Sequence, residues 1–357
     1  MKRLIREFEE QVRADLAADG DVQIGGVKMS PLAILDPGSQ TYYAEYLRWR
    51  DEEWLPGRFA RLRTILALEP PHNEARFKRL INALERQQVA AFVGAGMSLS
   101  SGMLLWSDFL RKLREAPPEA KRCSIGELEN LLSDANMNYE AAADLVHKHM
   151  GRRLFMDHMR THFDVSPDAI QGPVHLLPHL FHRWVFTTNY DNILEDVYAS
   201  EGYDFKFVLH GNQQLENVQQ YYDDTKPALI KLHGDERYPS QRVFLSKEYK
   251  QAYAARSYLR RELSRVAGGK SLLFMGCSLA QDRTMQVLKK TAKADTGQPE
   301  HFAFLPLPTD ADWLRERESF LTDHGIYPIW YDAPSPADHD DAIEALLVGL
   351  LRERKKL

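Results

Sequence analysis

An α/β fold, built on a parallel β-sheet with helices on both faces, is the architecture this 357-residue sequence predicts. Short β-rich apolar runs recur at residues 89–93, 184–188, 228–232, 271–275, 301–305 and 326–331. They lack the strict polar alternation of a half-solvated sheet, so both faces of each strand are expected to be covered. Most are separated by helical or polar stretches, the spacing of βα units rather than of hairpins.

The elements follow in order. Residues 1–18 predict a helix, because Leu4, Ile5, Phe8, Val12 and Leu16 recur at helical spacing with charges on the other face. Asp19-Gly20-Asp21 reads as a turn, and the stretch to Gly38 is irregular, with Gly25-Gly26, Pro31 and Pro37-Gly38. Residues 40–68 are again helical, interrupted near Leu55-Pro56-Gly57 and closed by Pro70-Pro71. A helix from Asn73 to about Gln87 leads into the first apolar run, which breaks at Gly94. Between Trp106 and His182 no strand is evident, so a mostly helical lobe at about 107–182 is expected as an insertion after the first βα unit. The expected division is a helical N-terminal extension over residues 1–80 and one large domain over 81–357. The extension suits oligomerisation, docking to a partner, or plain packing against the domain.

Composition narrows the function classes. The chain carries 46 basic and 51 acidic side chains, a balance that disfavours a dedicated nucleic-acid binder. No window approaches the roughly 18 uninterrupted apolar residues of a membrane span. Glu7, Glu9 and Glu10 stand where a secretion leader needs its apolar centre. Two cysteines, Cys123 and Cys277, make neither a disulfide framework nor a four-thiolate zinc site, and the expected compartment is the reducing cytoplasm. Histidines such as His147, His149, His158 and His162 have no H-E-x-x-H or thiolate companions, so no metal is expected.

Polar residues collect at the strand ends. Gly94-Ala95-Gly96-Met97-Ser98 follows the first strand, where glycines permit a tight turn and helix-start amides suit a pyrophosphate. It is neither the complete dinucleotide fingerprint nor a P-loop, and an ordinary βα turn has the same composition. The second strand runs into Thr188-Asn189-Tyr190-Asp191, the third into His233-Gly234-Asp235, and the fourth into Gly276-Cys277-Ser278-Leu279 and Asp282. In open α/β sheets these carboxyl ends line the ligand crevice. Each also has a local alternative. Asn189 or Asp191 suits a helix cap, His233 a loop histidine, Gly234 a turn, and Ser278 a cap of the next helix.

Taken together, Gly94-Ala95-Gly96-Met97-Ser98, Thr188-Asn189-Tyr190-Asp191, Leu232-His233-Gly234 and Gly276-Cys277-Ser278-Leu279 resemble the motifs of the sirtuin superfamily. The nearer resemblance is to its bacterial sirtuin-like branch, represented in antiviral defence. Trp106-Ser107-Asp108-Phe109 and the Gly276…Ser278…Asp282 ending match that branch, and the likeness covers roughly residues 85–335. The Pro-Asp-Phe-Arg element of protein-deacylating sirtuins is replaced by Leu104-Leu105-Trp106, and the four-cysteine zinc module is absent. The defence branch often has a proline before its tryptophan, where this chain has Leu104.

The resemblance implies a Rossmann-like domain that takes NAD as substrate and needs no metal. Ala95, Gly96 and Ser98, with Gly94, would contact the phosphates. Asn189 would position the ribose hydroxyls or the attacking water, and Asp191 the carboxamide or ribose side. His233 would accept a proton or orient the ribose, and Ser278 would reach the adenosine. Trp106, Thr188, Gly276 and Asp282 complete the implied binding set. The implied activity is hydrolysis of NAD to ADP-ribose and nicotinamide in abortive infection, held inactive until triggered. Implied partners are further copies of the chain and a companion sensor such as an ATPase translocase or an Argonaute-like protein. Two alternatives stand beside it: an NAD-dependent protein deacylase or ADP-ribosyltransferase, and a non-catalytic subunit that senses NAD or assembles a complex.

Overall fold

The computed structural model describes residues 2–19, 22–24, 27–29, 40–69, 72–133, 138–211, 227–238, 241–279, 283–292 and 299–353. The expected turns at Gly20-Asp21, Gly25-Gly26, Pro31, Pro37-Gly38 and Pro70-Pro71 lie outside these residues. The chain forms two compact units, Met1–Thr64 and Ile65–Leu357. Among the described residues no helix is long and apolar enough to cross a membrane.

In the first unit, helix α1 (Lys2–Asp19) precedes a small antiparallel pair, β1 (Val22–Ile24) and β2 (Val27–Met29), and then α2 (Gln40–Trp49). The apolar face of α1 is used here: Phe8 is 3% exposed and meets the rings of Tyr42, Tyr46 and Trp49 at centroid distances of 5.6, 5.9 and 5.7 Å. Such contacts add to simple area burial. The interruption expected near Pro56 is a π-helical turn, Arg50–Trp54, in which the Leu55 amide bonds to the Arg50 carbonyl five residues back. Helix α3 (Leu55–Leu66) continues from it. Proline lacks the amide and crowds the carbonyl four residues earlier, and the widened turn accommodates both defects without ending the helix.

In the second unit, α4 (Asn73–Glu85) leads to β3 (Val89–Val93) and a 3₁₀ segment, Ala95–Ser101. Four helices follow, with no strand between them among the described residues: α5 (Trp106–Glu115), α6 (Ile125–Leu132), α7 (Tyr139–Met150) and α8 (Arg152–Phe163). Ser124 caps α6 through the Glu127 amide and Asn138 caps α7 through the Ala141 amide, both by side-chain oxygens. This helical lobe has its own core, centred on Phe109, Leu113, Val146, Phe155 and Phe163, into which Tyr190 and Phe244 also insert. The sheet then resumes as β4 (Trp184–Thr187), α9 (Ile193–Ser200), β5 (Phe207–His210), β6 (Ala228–Lys231), α10 (Ser246–Ala252), α11 (Tyr258–Gly269), β7 (Ser271–Met275), α12 (Arg283–Ala292), β8 (His301–Pro306), α13 (Ala311–Thr322), β9 (Ile326–Tyr331) and α14 (Pro336–Glu353).

Seven strands form one wholly parallel sheet in the order β5-β6-β4-β3-β7-β8-β9. Every residue of β4, β6 and β7 is buried, as expected of strands flanked by helices on both sides. Strand β5 is the one sheet strand the apolar runs do not announce. It lies at an edge, only Leu209 of its four residues is fully buried, and it lacks the long apolar signature of the central strands.

The opposite edge is closed by a side chain. Asn73, fully buried, donates from Nδ2 to the carbonyls of Trp330 and Ile65 at 2.7 Å each and accepts the Trp330 amide at 2.9 Å. Its amide group thus imitates a neighbouring strand on β9, while Arg76 donates to the Pro328 carbonyl at 2.7 Å. Edge groups left unpaired invite association or cost desolvation energy. Asn73→Ala is expected to lower unfolding free energy by about 2–4 kcal/mol, read as a shifted urea midpoint with unchanged slope.

Candidate active site

The chain order reverses at β3, whose neighbours are β4 on one side and β7 on the other. Loops leaving such a switch point diverge and open a crevice at the carboxyl ends of the strands. A cavity of about 400 Å³ lies there, lined by the loops after β3, β4, β6 and β7 and roofed by the helical lobe. It is lined by Gly94, Ala95, Ser98, Trp106, Thr188 and Asn189. Asp191, His233, Gly276 and Ser278 line it as well. Gly96 is buried behind the lining, and Asp282 lies outside the described residues.

The glycines hold two loops together before they hold any ligand. Gly276 has φ of +66°, and a Cβ there would lie 2.4 Å from the Met97 amide nitrogen. A Cβ on Gly96 would meet the Gly276 Cα at 2.8 Å, and one on Gly94 the Gly276 oxygen at 2.4 Å. Only residues without side chains permit this backbone-to-backbone approach. The amides are committed as well: Gly94 to the Met275 carbonyl, Gly96 to that of Gly276, and Met97 to that of Gly94, at 2.9, 2.9 and 3.1 Å.

The loop after β4 carries a directional relay. Thr187 Oγ1 donates to the Val93 carbonyl at 2.9 Å and accepts the Asn189 amide at 3.0 Å, tying β4 to β3. Asn189 Nδ2 donates to the Gly94 carbonyl and to Ser98 Oγ, each at 3.1 Å, and Ser98 donates to Asp191 Oδ2 at 3.0 Å. Both amide hydrogens of Asn189 are therefore spent, and the amide offers the cavity its Oδ1, an acceptor only. Asp191 Oδ1 also accepts the Ile193 amide, the first of α9, at 3.2 Å, while the N-cap position is Asn192, so neither Asn189 nor Asp191 is the N-cap. Burial pushes the Asp191 carboxyl up to about 6, against the opposing pull of Lys231 and the Ser98 hydroxyl.

His233 is set between two tyrosines. Its Nε2 lies 3.0 Å from the Tyr253 hydroxyl and its Nδ1 3.4 Å from that of Tyr249, while Tyr253 reaches Thr284 Oγ1 at 3.2 Å. Its remaining exposure is to the cavity, and burial pushes the imidazole down to about 3. The ring is neutral at pH 7 and only weakly basic, which suits orientation of a substrate hydroxyl better than proton abstraction.

Lys231, at the end of β6, is the residue that motif reading passes over. It is fully buried, and its Nζ donates to the Asp191 carbonyl at 2.6 Å, to Glu195 at 3.0 Å and to Asp235. Arg237 joins the same two carboxylates. Burial alone would discharge the lysine, but Glu195 and Asp235 outweigh it and raise its pKa above the ordinary value. One ammonium thus ties the Asn189–Asp191 loop to the His233–Asp235 loop. The available sequence signal was a lone lysine in a run expected to be covered on both faces, which requires a buried partner.

An aromatic wall completes the cavity. Trp106, the first residue of α5, stacks on Tyr190 at 5.6 Å and 23° and meets Phe244 edge-on at 4.8 Å. Tyr190 donates to the Val243 carbonyl at 2.5 Å. On the opposite side Arg317 binds the carbonyls of Ser278 and Leu279, holding Leu279 at φ +49°, a strained value for a branched residue. Ser278 is exposed at the rim. Among the described residues no group of three or more His, Cys, Asp or Glu side chains could hold a metal ion.

A parallel sheet with a glycine loop at its switch point and an Asn–Ser–Asp relay beside a half-buried histidine is an α/β architecture with its ligand crevice at the strand ends. Residues 183–329 match the SIR2-like domain family, a span from the start of β4 into β9 that holds the Asn189, His233 and Gly276 loops. The chain is similar to the protein named NAD(+) hydrolase ThsA of Bacillus cereus (strain MSX-D12), with 23% identity over 265 residues, 71% of this chain and 52% of that protein. The protein of the same name from Acinetobacter baumannii (strain 532279) is 23% identical over 251 residues, 67% of this chain and 47% of the relative. The chain spans about half the length of these curated relatives.

The raised pKa of Asp191 has a stability consequence. The folded state binds this proton more tightly than the unfolded chain, whose carboxyl titrates near 3.9, so the residue's contribution is lost as pH rises through about 6. Asp191→Asn, which cannot ionise, is expected to gain up to about 3 kcal/mol near pH 8 and nothing near pH 3, measured from urea midpoints across that range.

Proposed function

We propose that the chain cleaves NAD by hydrolysis, releasing nicotinamide and ADP-ribose, and that it does so as the effector of an antiphage defence system. The observation that carries the reading is the meeting of Asn189 and His233, from separate strands, on one cavity beside the glycine loop. Support comes also from the SIR2-like domain and from relatives named NAD(+) hydrolase. The defence role rests on the family resemblance.

The chemistry asks little of the protein in leaving-group activation. The bond from ribose C1′ to the ring nitrogen breaks with its electron pair going to a cationic pyridinium, so nicotinamide departs neutral. Water oxygen bonds to C1′, and its surplus proton is released. The burden is to orient a hydroxyl or water and to stabilise an oxocarbenium-like ribose. Asn189 Oδ1 is suited to accept from that hydroxyl or water, because the Gly94 carbonyl and Ser98 fix the amide from behind. Neutral His233, held by Tyr249 and Tyr253, adds a second fixed dipole. Preorganised dipoles in a water-poor site stabilise developing charge at no cost in reorganisation. An unrestrained enzyme of this kind would exhaust its host's NAD, so we propose that infection releases it, through self-assembly or a companion sensor.

The test is cellular NAD after phage challenge, with the neighbouring genes co-expressed, followed by separation of products from the purified assembly incubated with NAD. NAD is expected to fall, with free ADP-ribose and nicotinamide formed in equal amounts and no acyl substrate required. Asn189→Ala is expected to slow cleavage by about 10³-fold and His233→Ala by about 10²-fold or more, with the fold retained. Cleavage only with an acyl-peptide, or ADP-ribose found attached to protein, would replace hydrolysis with transfer. Cleavage at the wild-type rate in both variants would remove these residues from the mechanism.

A further inference from the structure

We propose that Arg283 is the cation that receives the pyrophosphate of the substrate, and that its partner Glu140 is a stand-in anion that the substrate displaces. The inference rests on the nucleotide reading above and adds to it a binding group and a built-in competitor. Among the described residues lining the cavity, Arg283 is the one Arg or Lys side chain, and Glu140 and Asp191 are the carboxylates. The amides of Gly94, Gly96 and Met97 are all committed to backbone carbonyls, so these donors of the glycine loop are not free for phosphate oxygens. A dianionic pyrophosphate entering this cavity needs a charged donor, and the guanidinium on α12 is the one the lining provides.

Its present partner has the geometry of the ligand it would receive. Glu140 takes Nε and Nη2 of Arg283 through its two carboxylate oxygens at 2.6 and 2.7 Å. The same two-pronged arrangement serves phosphate, which is why arginine rather than lysine is suited to such an exchange. The two side chains are 25% and 26% exposed, so either can part from the other without stranding a charge in the protein interior. Glu140 also lies in the first turn of α7, just after the Asn138 cap, where the helix N-terminus favours a negative charge even when Arg283 has left it. The pair links the helical lobe to the sheet-side wall, so a substrate that takes Arg283 also loosens the lobe.

Calorimetric binding of ADP-ribose and of adenosine, which lacks phosphate, to the full chain tests this. Glu140→Gln and Glu140→Ala are expected to bind ADP-ribose about two- to fivefold more tightly than wild type, the gain from removing an exposed competing carboxylate. Arg283→Gln is expected to weaken it by about tenfold or more, and Arg283→Lys by less. Adenosine affinity is expected to stay unchanged in all four, with unfolding midpoints confirming intact chains. A strut with no role in binding gives the opposite pattern: Glu140 variants no tighter for ADP-ribose, or Arg283→Gln weakening both probes alike, and either result overturns the proposal. If wild type cleaves NAD while the variants bind ADP-ribose as it does, this inference alone fails. If wild type binds neither NAD nor ADP-ribose, the nucleotide reading fails with it.

Discussion

The ammonium of Lys231 has no contact with water, and two of the cavity's loops take their positions from it. A cation buried this completely is tolerable only when carboxylates and carbonyls surround it. Here the partners are Asp235, Glu195 and the Asp191 carbonyl, so satisfying the lysine obliges the loops after β4 and β6 to approach one another. Asn189 and His233 sit on those same loops, and their common cavity follows from this arrangement. The third side is fixed differently, by Gly94 and Gly96 pressed against Gly276 with no room for a side chain on any of them. One charge cluster and one glycine contact thus frame the site.

This framing decides what the polar residues can offer. Because Ser98 gives its hydrogen to Asp191, it must accept from Asn189, and the amide cannot flip without breaking the chain. A residue that in isolation could donate or accept is restricted to accepting. His233, which could in isolation act as a base near neutrality, is desolvated until it remains neutral and weakly basic. On the proposed reading the site supplies fixed dipoles, which suits a reaction whose leaving group departs without acid assistance.

Much of this was legible in the sequence. The apolar runs located six of the seven sheet strands because buried parallel strands leave continuous β-rich segments, and the strand-free stretch after Trp106 located the lobe. Strand β5 escaped because an edge strand with one fully buried residue leaves almost no pattern. The motif residues could be placed at strand ends, but not the work each does there. Gly96, expected against phosphate, also packs on Gly276, a contact between loops 180 residues apart that no local spacing reveals. Asp191 was expected against the ribose and holds Ser98 and the Ile193 amide. Lys231 was hidden because it reads as one polar interruption in an apolar run, and Arg283 because nothing in its neighbourhood names a partner on α7.

On the proposed function, the nicotinamide-bearing ribose lies between the loops that Lys231 brings together. A crystal structure of the slow His233→Ala variant with NAD bound tests it most directly. That ribose is expected within hydrogen-bond reach of Asn189 Oδ1. NAD bound with its ribose away from Asn189, or at a different face of the sheet, would contradict it.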